Sequence, residues 1–302
     1  STSHWNHSHS KTFKFLNIPV FRTFFCFLTY QPMQKFLIVL ILLVGLNATA
    51  KAQDDLLSML GDDSTTTEYV KNAFKSSRVI NGQEMEMIPK GALDFRILHR
   101  FGEVSGGAYE FFGLDQASMR MGFDYGILKN LSVGVGRSTA QKELDGFVKY
   151  RILQQSTGAK VMPFSLVYVG GVTCNGMKWA DTSVTNYFTS RLAFYNQLVI
   201  GRKFNESITL QLSPTFLHRN LVTYDADPSD IYSLGVGGRV KVTRRIALTG
   251  DYFYVFNNND STAVNPLSIG VDIETGGHVF QLHFSNCVGM NERAFLLDTK
   301  GQ

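Results

Sequence analysis

Cysteine is scarce, with three in 302 residues. Cys174 and Cys287 stand far apart and lack metal-ligand spacing, which argues against a disulfide framework and against a zinc site. No cysteine follows the amino-terminal apolar run at the position a lipid anchor requires. That run, residues 36–46, is 11 residues long. A transmembrane helix needs roughly 20, which argues against the competing reading of a helical anchor. Residues 1–32 contain neither an acidic residue nor a methionine, and they fit no element that the rest of the chain needs.

Met33 reads as the true start, with residues 1–32 translated from upstream sequence. Met33-Gln34-Lys35 forms a short positive region, residues 36–46 the apolar region, and Ala48-Thr49-Ala50 with Ala50-Lys51-Ala52 small-residue cleavage sites. Residues 33–52 are therefore expected to be a cleaved secretory signal peptide. Removing residues 1–52 takes away Lys11, Lys14, Arg22, Lys35 and Lys51, leaving 24 of the 29 basic residues against 25 acidic ones. A mature chain so close to neutral gives no reason to expect a nucleic-acid partner.

What the chain has in abundance is alternation. Met119, Met121, Phe123 and Tyr125 alternate with Ser118, Arg120, Gly122 and Asp124. After a short turn, Leu131, Val133 and Val135 alternate with Ser132, Gly134 and Gly136. Period 2 puts alternate side chains on opposite faces of a sheet, one face apolar and the other polar and charged. The pattern recurs from residue 91 to near the end and predicts eleven strands. They are residues 92–101, 117–127, 131–138, 146–154, 163–172, 187–202, 207–222, 231–242, 246–256, 267–274 and 278–286.

Connections alternate too. Tight links at 128–130, 203–206, 243–245 and 275–277, with a looser one at 155–162, fall after even-numbered strands. Long polar links fall after odd ones. Short turns on one side and long loops on the other characterise a transmembrane antiparallel barrel, with the short side periplasmic. Phe194, Leu198 and Ile200, then Leu234, Val236 and Val240, then Ile269, Val271 and Ile273 would face lipid, while aromatics such as Tyr125, Tyr187, Tyr232 and Phe256 sit near strand ends. A soluble sandwich or lipocalin-like barrel is the competing fold. Its outer strands should carry less uniform apolar faces and fewer aromatics. The expected fold is thus all-β, an antiparallel up-and-down transmembrane β-barrel over residues 91–302, preceded by a periplasmic segment at 53–90 lying against the barrel mouth.

The run Asn265-Pro266-Leu267-Ser268-Ile269-Gly270-Val271-Asp272-Ile273-Glu274-Thr275-Gly276-Gly277-His278-Val279-Phe280-Gln281-Leu282 is specific. With His99-Arg100-Phe101-Gly102 and Pro214-Thr215-Phe216-Leu217-His218-Arg219-Asn220, it resembles a family of membrane-bound β-barrel proteins of unknown function found in Bacteroidota. The resemblance runs from about Phe74 to the end. It implies an outer-membrane barrel in a Gram-negative bacterium and carries no activity onto any residue. Proteins of that kind continue through another strand, whereas Thr299-Lys300-Gly301-Gln302 offers no terminal aromatic. About 12 strands are expected in the intact protein with 11 present here, residues 287–302 forming an external loop.

Candidate lumen-lining residues on the polar parity are Arg96, Arg120, Asp124, Arg151, Arg191, Arg219, Arg239, Asp251, Asp272, Glu274 and His283. They would form either a charged constriction or a ladder of structural ion pairs, and mixed signs favour the ladder. His99 and His218 face the apolar side. A lipid-modifying His would need a Ser within reach, and neither strand supplies one. Gly276-Gly277 and Val236-Gly237-Gly238 are turn and close-approach glycines, since no helix follows to make a phosphate loop. No catalytic residue, cofactor or metal is expected. The function expected first is a passive channel or transporter for a small solute. The second is a structural or assembly barrel with a closed lumen that binds periplasmic or surface partners, with outer-membrane lipid around either.

Overall fold

A computed structural model describes residues 66–222, 227–257, 262–275 and 278–300. The expected signal peptide and upstream segment lie outside the described residues. The strands are β1 (Thr67–Tyr69), β2 (Leu93–Phe101), β3 (Ala117–Leu128), β4 (Leu131–Ser138), β5 (Leu144–Leu153), β6 (Ser156–Gly158), β7 (Ser165–Cys174), β8 (Leu192–Lys203), β9 (Ile208–Arg219), β10 (Asp230–Lys241), β11 (Ile246–Val255), β12 (Leu267–Thr275) and β13 (His278–Ser285). One short helix, α1 (Glu292–Leu297), follows.

Eleven of these strands form one sheet in the order β13-β12-β11-β10-β9-β8-β7-β5-β4-β3-β2. Every neighbouring pair is antiparallel, so the sheet is an up-and-down meander. All eleven expected strands are present, with ends shifted by a few residues. The strand expected to begin at 187 begins at Leu192, because Phe188–Arg191 forms a 3-10 turn. The small β1–β6 ribbon was not foreseen, since three-residue strands are too short to show a period. The sheet is not closed: β2 and β13 are its two ends and do not pair.

The two faces divide as the alternation demands. In β10, Ile231, Ser233, Gly235, Gly237 and Arg239 point inward and are buried, while Val236 and Val240 point outward and are exposed. On β13, outward Phe280, Leu282 and Phe284 are 63%, 61% and 59% exposed. An apolar face this continuous exceeds what a water-soluble monomer shows. Cross-strand aromatic pairs reinforce it, with Phe95 stacked on Phe123 at 4.8 Å and Phe216 tilted on Tyr232 at 5.3 Å between ring centres.

The core is inside. Inward Phe147, Val167, Val169, Tyr195, Val199, Leu217, Ile231 and Phe253 cluster with Ala73, Phe74, Val79 and Met85 from the amino-terminal side and with Phe295, Leu296 and Leu297 of α1. Two expectations are therefore corrected. Residues 70–90 do not rest at the mouth; they pass into the interior as a hairpin. Residues 287–300 are not an external loop, because Cys287, Met290, Phe295, Leu296 and Leu297 are buried. In both segments scattered apolar residues lack a period of their own, and burial inside the sheet is what gives them a partner.

Candidate functional site: the occupied lumen

The hairpin enters on the short-turn side. There the Val70 N–H donates to the Gln155 carbonyl at 2.9 Å, and Lys203 Nζ donates to the Lys71 carbonyl at 3.3 Å. It turns at residues 79–82, where the Val79 N–H donates to the Gly82 carbonyl at 2.9 Å. It returns past Gly126, whose carbonyl accepts from the Gly91 N–H at 2.7 Å. A Cβ on Gly126 would strike the Pro89 carbonyl, so glycine there gives the hairpin its way out.

Asp251 of β11 holds the tip. Its Oδ2 accepts the N–H groups of Ile80, Asn81 and Gly82 at 3.3, 2.6 and 3.1 Å. These would otherwise be orphaned donors in a buried turn. Asn81 then ties β12 and the segment after β13 to β2 through its side chain. Its Nδ2 donates to Ser268 Oγ of β12 at 2.7 Å and lies 3.2 Å from Cys287 Sγ, while its Oδ1 accepts from Arg100 of β2 at 2.5 Å. Phe253 packs its ring against the tip: a Cβ on Gly82 would sit 2.7 Å from it, and Gly235 of β10 leaves room on the other side.

The hairpin also reaches β3, β5 and β9. Ser77 donates to Asp124 of β3 at 3.0 Å, Glu84 lies 3.6 Å from Lys149 of β5, and Gln211 of β9 donates to the Gln83 carbonyl at 2.7 Å. A single segment touching strands from one end of the sheet to the other requires the sheet to curl around it.

The carboxy-terminal segment fills the long-loop side. Asn291 caps α1 by accepting from the Ala294 N–H at 2.9 Å, and donates to Glu143 at 2.9 Å. Arg293 binds Glu143 and Asp298 at 2.5 and 2.7 Å, tying the segment to the loop after β4. Phe295 meets Phe253 at 4.8 Å between ring centres. The two fillings meet through Arg78 and Glu292, 2.8 Å apart and both almost fully buried. Gln83 donates to the same carboxylate at 3.2 Å.

Of the eleven residues expected in the lumen, eight lie there. Arg120 pairs with Asp145 through Nε at 2.9 Å. Asp124 and Asp251 hold the hairpin, and Arg96 pairs with Asp94 at 2.8 Å and donates to Ser77 at 2.6 Å. Arg239 binds Glu274 at 3.0 Å with Asp272 at 3.9 Å, and Glu274 also receives Lys75 at 3.2 Å. His283 points inward from β13, its buried Nε2 without a hydrogen-bond partner among the described residues.

Three residues are corrected. Arg151 donates to the Lys129 carbonyl at the short-turn rim, Arg219 lies 3.6 Å from Asp227 at the long-loop rim, and Arg191 sits 4.1 Å over the Trp179 ring in a long loop. Parity places a side chain on a face but not at a depth, and these stand at or just beyond strand ends. Arg78, Asn81, Glu84, Glu143, Glu292 and Arg293 were missed, since no period marks a residue that reaches the lumen from a terminal segment or, for Glu143, from the loop after β4. The outward histidines behave as interfacial groups: His99 stacks on Phe101 at 6.4 Å, and His218 Nδ1 meets Asp230 at 2.6 Å.

A curled antiparallel sheet with an apolar outer face and a packed, ion-paired interior defines a membrane β-barrel protein. The chain belongs to the family described as a membrane bound beta barrel domain (DUF5777), whose model matches residues 74–302 and so takes in most of the lumen hairpin as well as the strands. The family's function is unknown. No curated protein matches the chain significantly.

Proposed function

We propose that this protein is an outer-membrane barrel with a lumen closed by its own terminal segments, serving as a structural or assembly unit that binds partners through its exposed ends. The observation that carries this reading is the Arg78–Glu292 pair, which joins the two lumen-filling segments inside an apolar cluster. An open channel needs a continuous water path, and a charge-selective one a net field along it. Here Asp145 matches the inward charge of Arg120, and Glu274 that of Arg239. With the short-turn side periplasmic, the β1–β6 ribbon stands there beside the point where the hairpin enters, and Tyr69 is 52% exposed on it. A periplasmic protein is the partner this end would meet. Planar-bilayer recording tests the reading. The purified protein should give no unitary current, and steady currents would return the solute-channel reading to first place.

A further inference from the structure

Positive charge gathers where the lumen hairpin enters the barrel. Around the β1–β6 ribbon stand the cations Lys71, Lys129, Arg151, Lys160 and Lys203. Hydrogen bonds hold their segments together. The Val70 N–H reaches the Gln155 carbonyl, and the Gln155 side chain accepts from the Lys203 N–H and donates to the Lys203 carbonyl, both at 2.9 Å. Lys203 Nζ reaches the Lys71 carbonyl, Ser156 Oγ donates to the Lys160 carbonyl at 2.7 Å, and Arg151 donates to the Lys129 carbonyl at 2.8 Å. The exposed acids beside them, among the described residues, are Glu68 and Glu206, and Glu206 is taken by Lys203 at 2.9 Å. Glu86 is turned into the hairpin, toward the Ala73 N–H. Lys71, Lys129 and Lys160 are exposed and have no carboxylate partner among the described residues.

We propose that this patch is the docking surface for an acidic polypeptide segment of a periplasmic partner. The proposal rests on the partner-binding reading of this end and names the partner's chemistry. Cations gathered without counter-charges raise the local potential, and a carboxylate that enters both relieves their repulsion and is steered in by it. Anionic lipid would meet such cations if they lay along strand ends in the headgroup layer. Tyr69, Lys71 and Lys160 do not lie there: they belong to the ribbon, to the chain leading into the hairpin and to the polar link between β5 and β7, all outside the eleven-strand sheet. Exposed Tyr69 adds an aromatic face of the kind in which protein interfaces are enriched.

The first test uses the intact protein in nanodiscs of phosphatidylcholine and a dye-labelled peptide of alternating Glu and Ser, read by anisotropy. The peptide should bind, and added salt should weaken it. Lys71→Gln, Lys129→Gln and Lys160→Gln combined should lower its affinity about tenfold, whereas Lys142→Gln with Lys178→Gln, exposed on the long-loop side, should leave it unchanged. Glu at the same three positions should exchange the preference for the matching Lys and Ser peptide. No binding, or equal losses from the two ends, would overturn the proposal. The second test places p-benzoylphenylalanine at Tyr69 in the native host. Photolysis should link it to an acidic peptide of another protein, and the triple Gln variant should lose that adduct. Adducts confined to lipid, to a second copy or to this chain's own residues 53–65, which include Asp54, Asp55, Asp62 and Asp63, would overturn it, as would no polypeptide adduct. Unitary currents in a bilayer would sink the closed-lumen reading and leave this binding standing; loss of the preference for Glu would sink the patch and leave the lumen closed.

Discussion

The wall from β7 to β11 and the seam between β2 and β13 are built from the same alternating strands, yet their inward faces differ. Along the wall, Tyr195 and Phe253 are each 2% exposed and Leu217 1%, because Gly171 and Gly235 leave room for the two large rings. Along the seam the inward side chains of β2 are Asp94, Arg96, Leu98 and Arg100, all only partly buried. Pairing with a neighbour on each side and packing on the hairpin makes the wall dry. An edge strand with one neighbour and charged inward positions leaves the seam wet. Strand pairing fixes which face a residue takes; filling the lumen decides how much that face contributes.

The largest effect should follow from emptying the wall. Phe253→Ala removes the ring shared by Gly82, Gly235 and Phe295, and should cost about 3–5 kcal/mol in denaturant unfolding from detergent. Leu98→Ala at the partly buried seam should cost about 1 kcal/mol, in line with incomplete burial. Equal losses would erase the contrast. Arg78→Met strands the Glu292 carboxylate and should also cost about 3–5 kcal/mol. Arg78→Met together with Glu292→Leu should cost less than Arg78→Met alone, because no buried charge is then left unpaired. A double variant weaker than the single would show that partners other than Arg78, Gln83 among them, hold the Glu292 carboxylate.

Next in size is the outer face. Leu234→Arg puts a charge on the lipid side near the middle of β10 and should cost about 2–4 kcal/mol. Ser233→Ala, one residue away and inward, should be nearly neutral, because its buried hydroxyl has no hydrogen-bond partner among the described residues. If the two losses were alike, the apolar face would not be meeting lipid.

The eleven strands and their faces were legible because a period of 2 sustained over eight to twelve residues has one geometric meaning. Ser132, Arg120 and Asp124 were placed inward by parity alone, and all three are buried. The contents of the lumen were not legible. Residues 73–87 mix Phe74, Val79 and Met85 with Arg78, Asn81 and Glu84 in no period, since a hairpin inside a curled sheet matches several different strands at once. The segment after β13 misled in the same way. Asn291 and Glu292 suggest a solvated loop until Glu143 and Arg78 are brought to them across more than a hundred residues of sequence.

The hairpin should also respond to pH, by a smaller amount. Burial, followed by the neighbouring Glu84 charge, pushes the Glu86 carboxyl from its ordinary 4.5 up to about 7, and Lys149 and Lys203 only partly oppose this. Glu86 sits near the short-turn mouth, where its Oε1 accepts from the Ala73 N–H at 2.5 Å and closes the base of the hairpin. Released into water, the same carboxyl would titrate near 4.5, so the seated hairpin binds the proton more tightly than the released one. The resulting stabilisation is complete below about pH 4.5, declines as pH rises through about 7, and is flat beyond. Glu84 is raised as well, by burial that Lys149 offsets in part, and adds in the same direction. Hydrogen exchange of the 73–87 amides, corrected for intrinsic rates, should therefore lose protection equivalent to about 1–3 kcal/mol between pH 4.5 and 7.5. Glu86→Gln should flatten most of that slope while wall amides in β8 and β9 keep their protection. A slope unchanged by Glu86→Gln would mean that another group sets the pH response, and β8 and β9 amides losing protection in step with the hairpin would mean that hairpin and wall open as one unit.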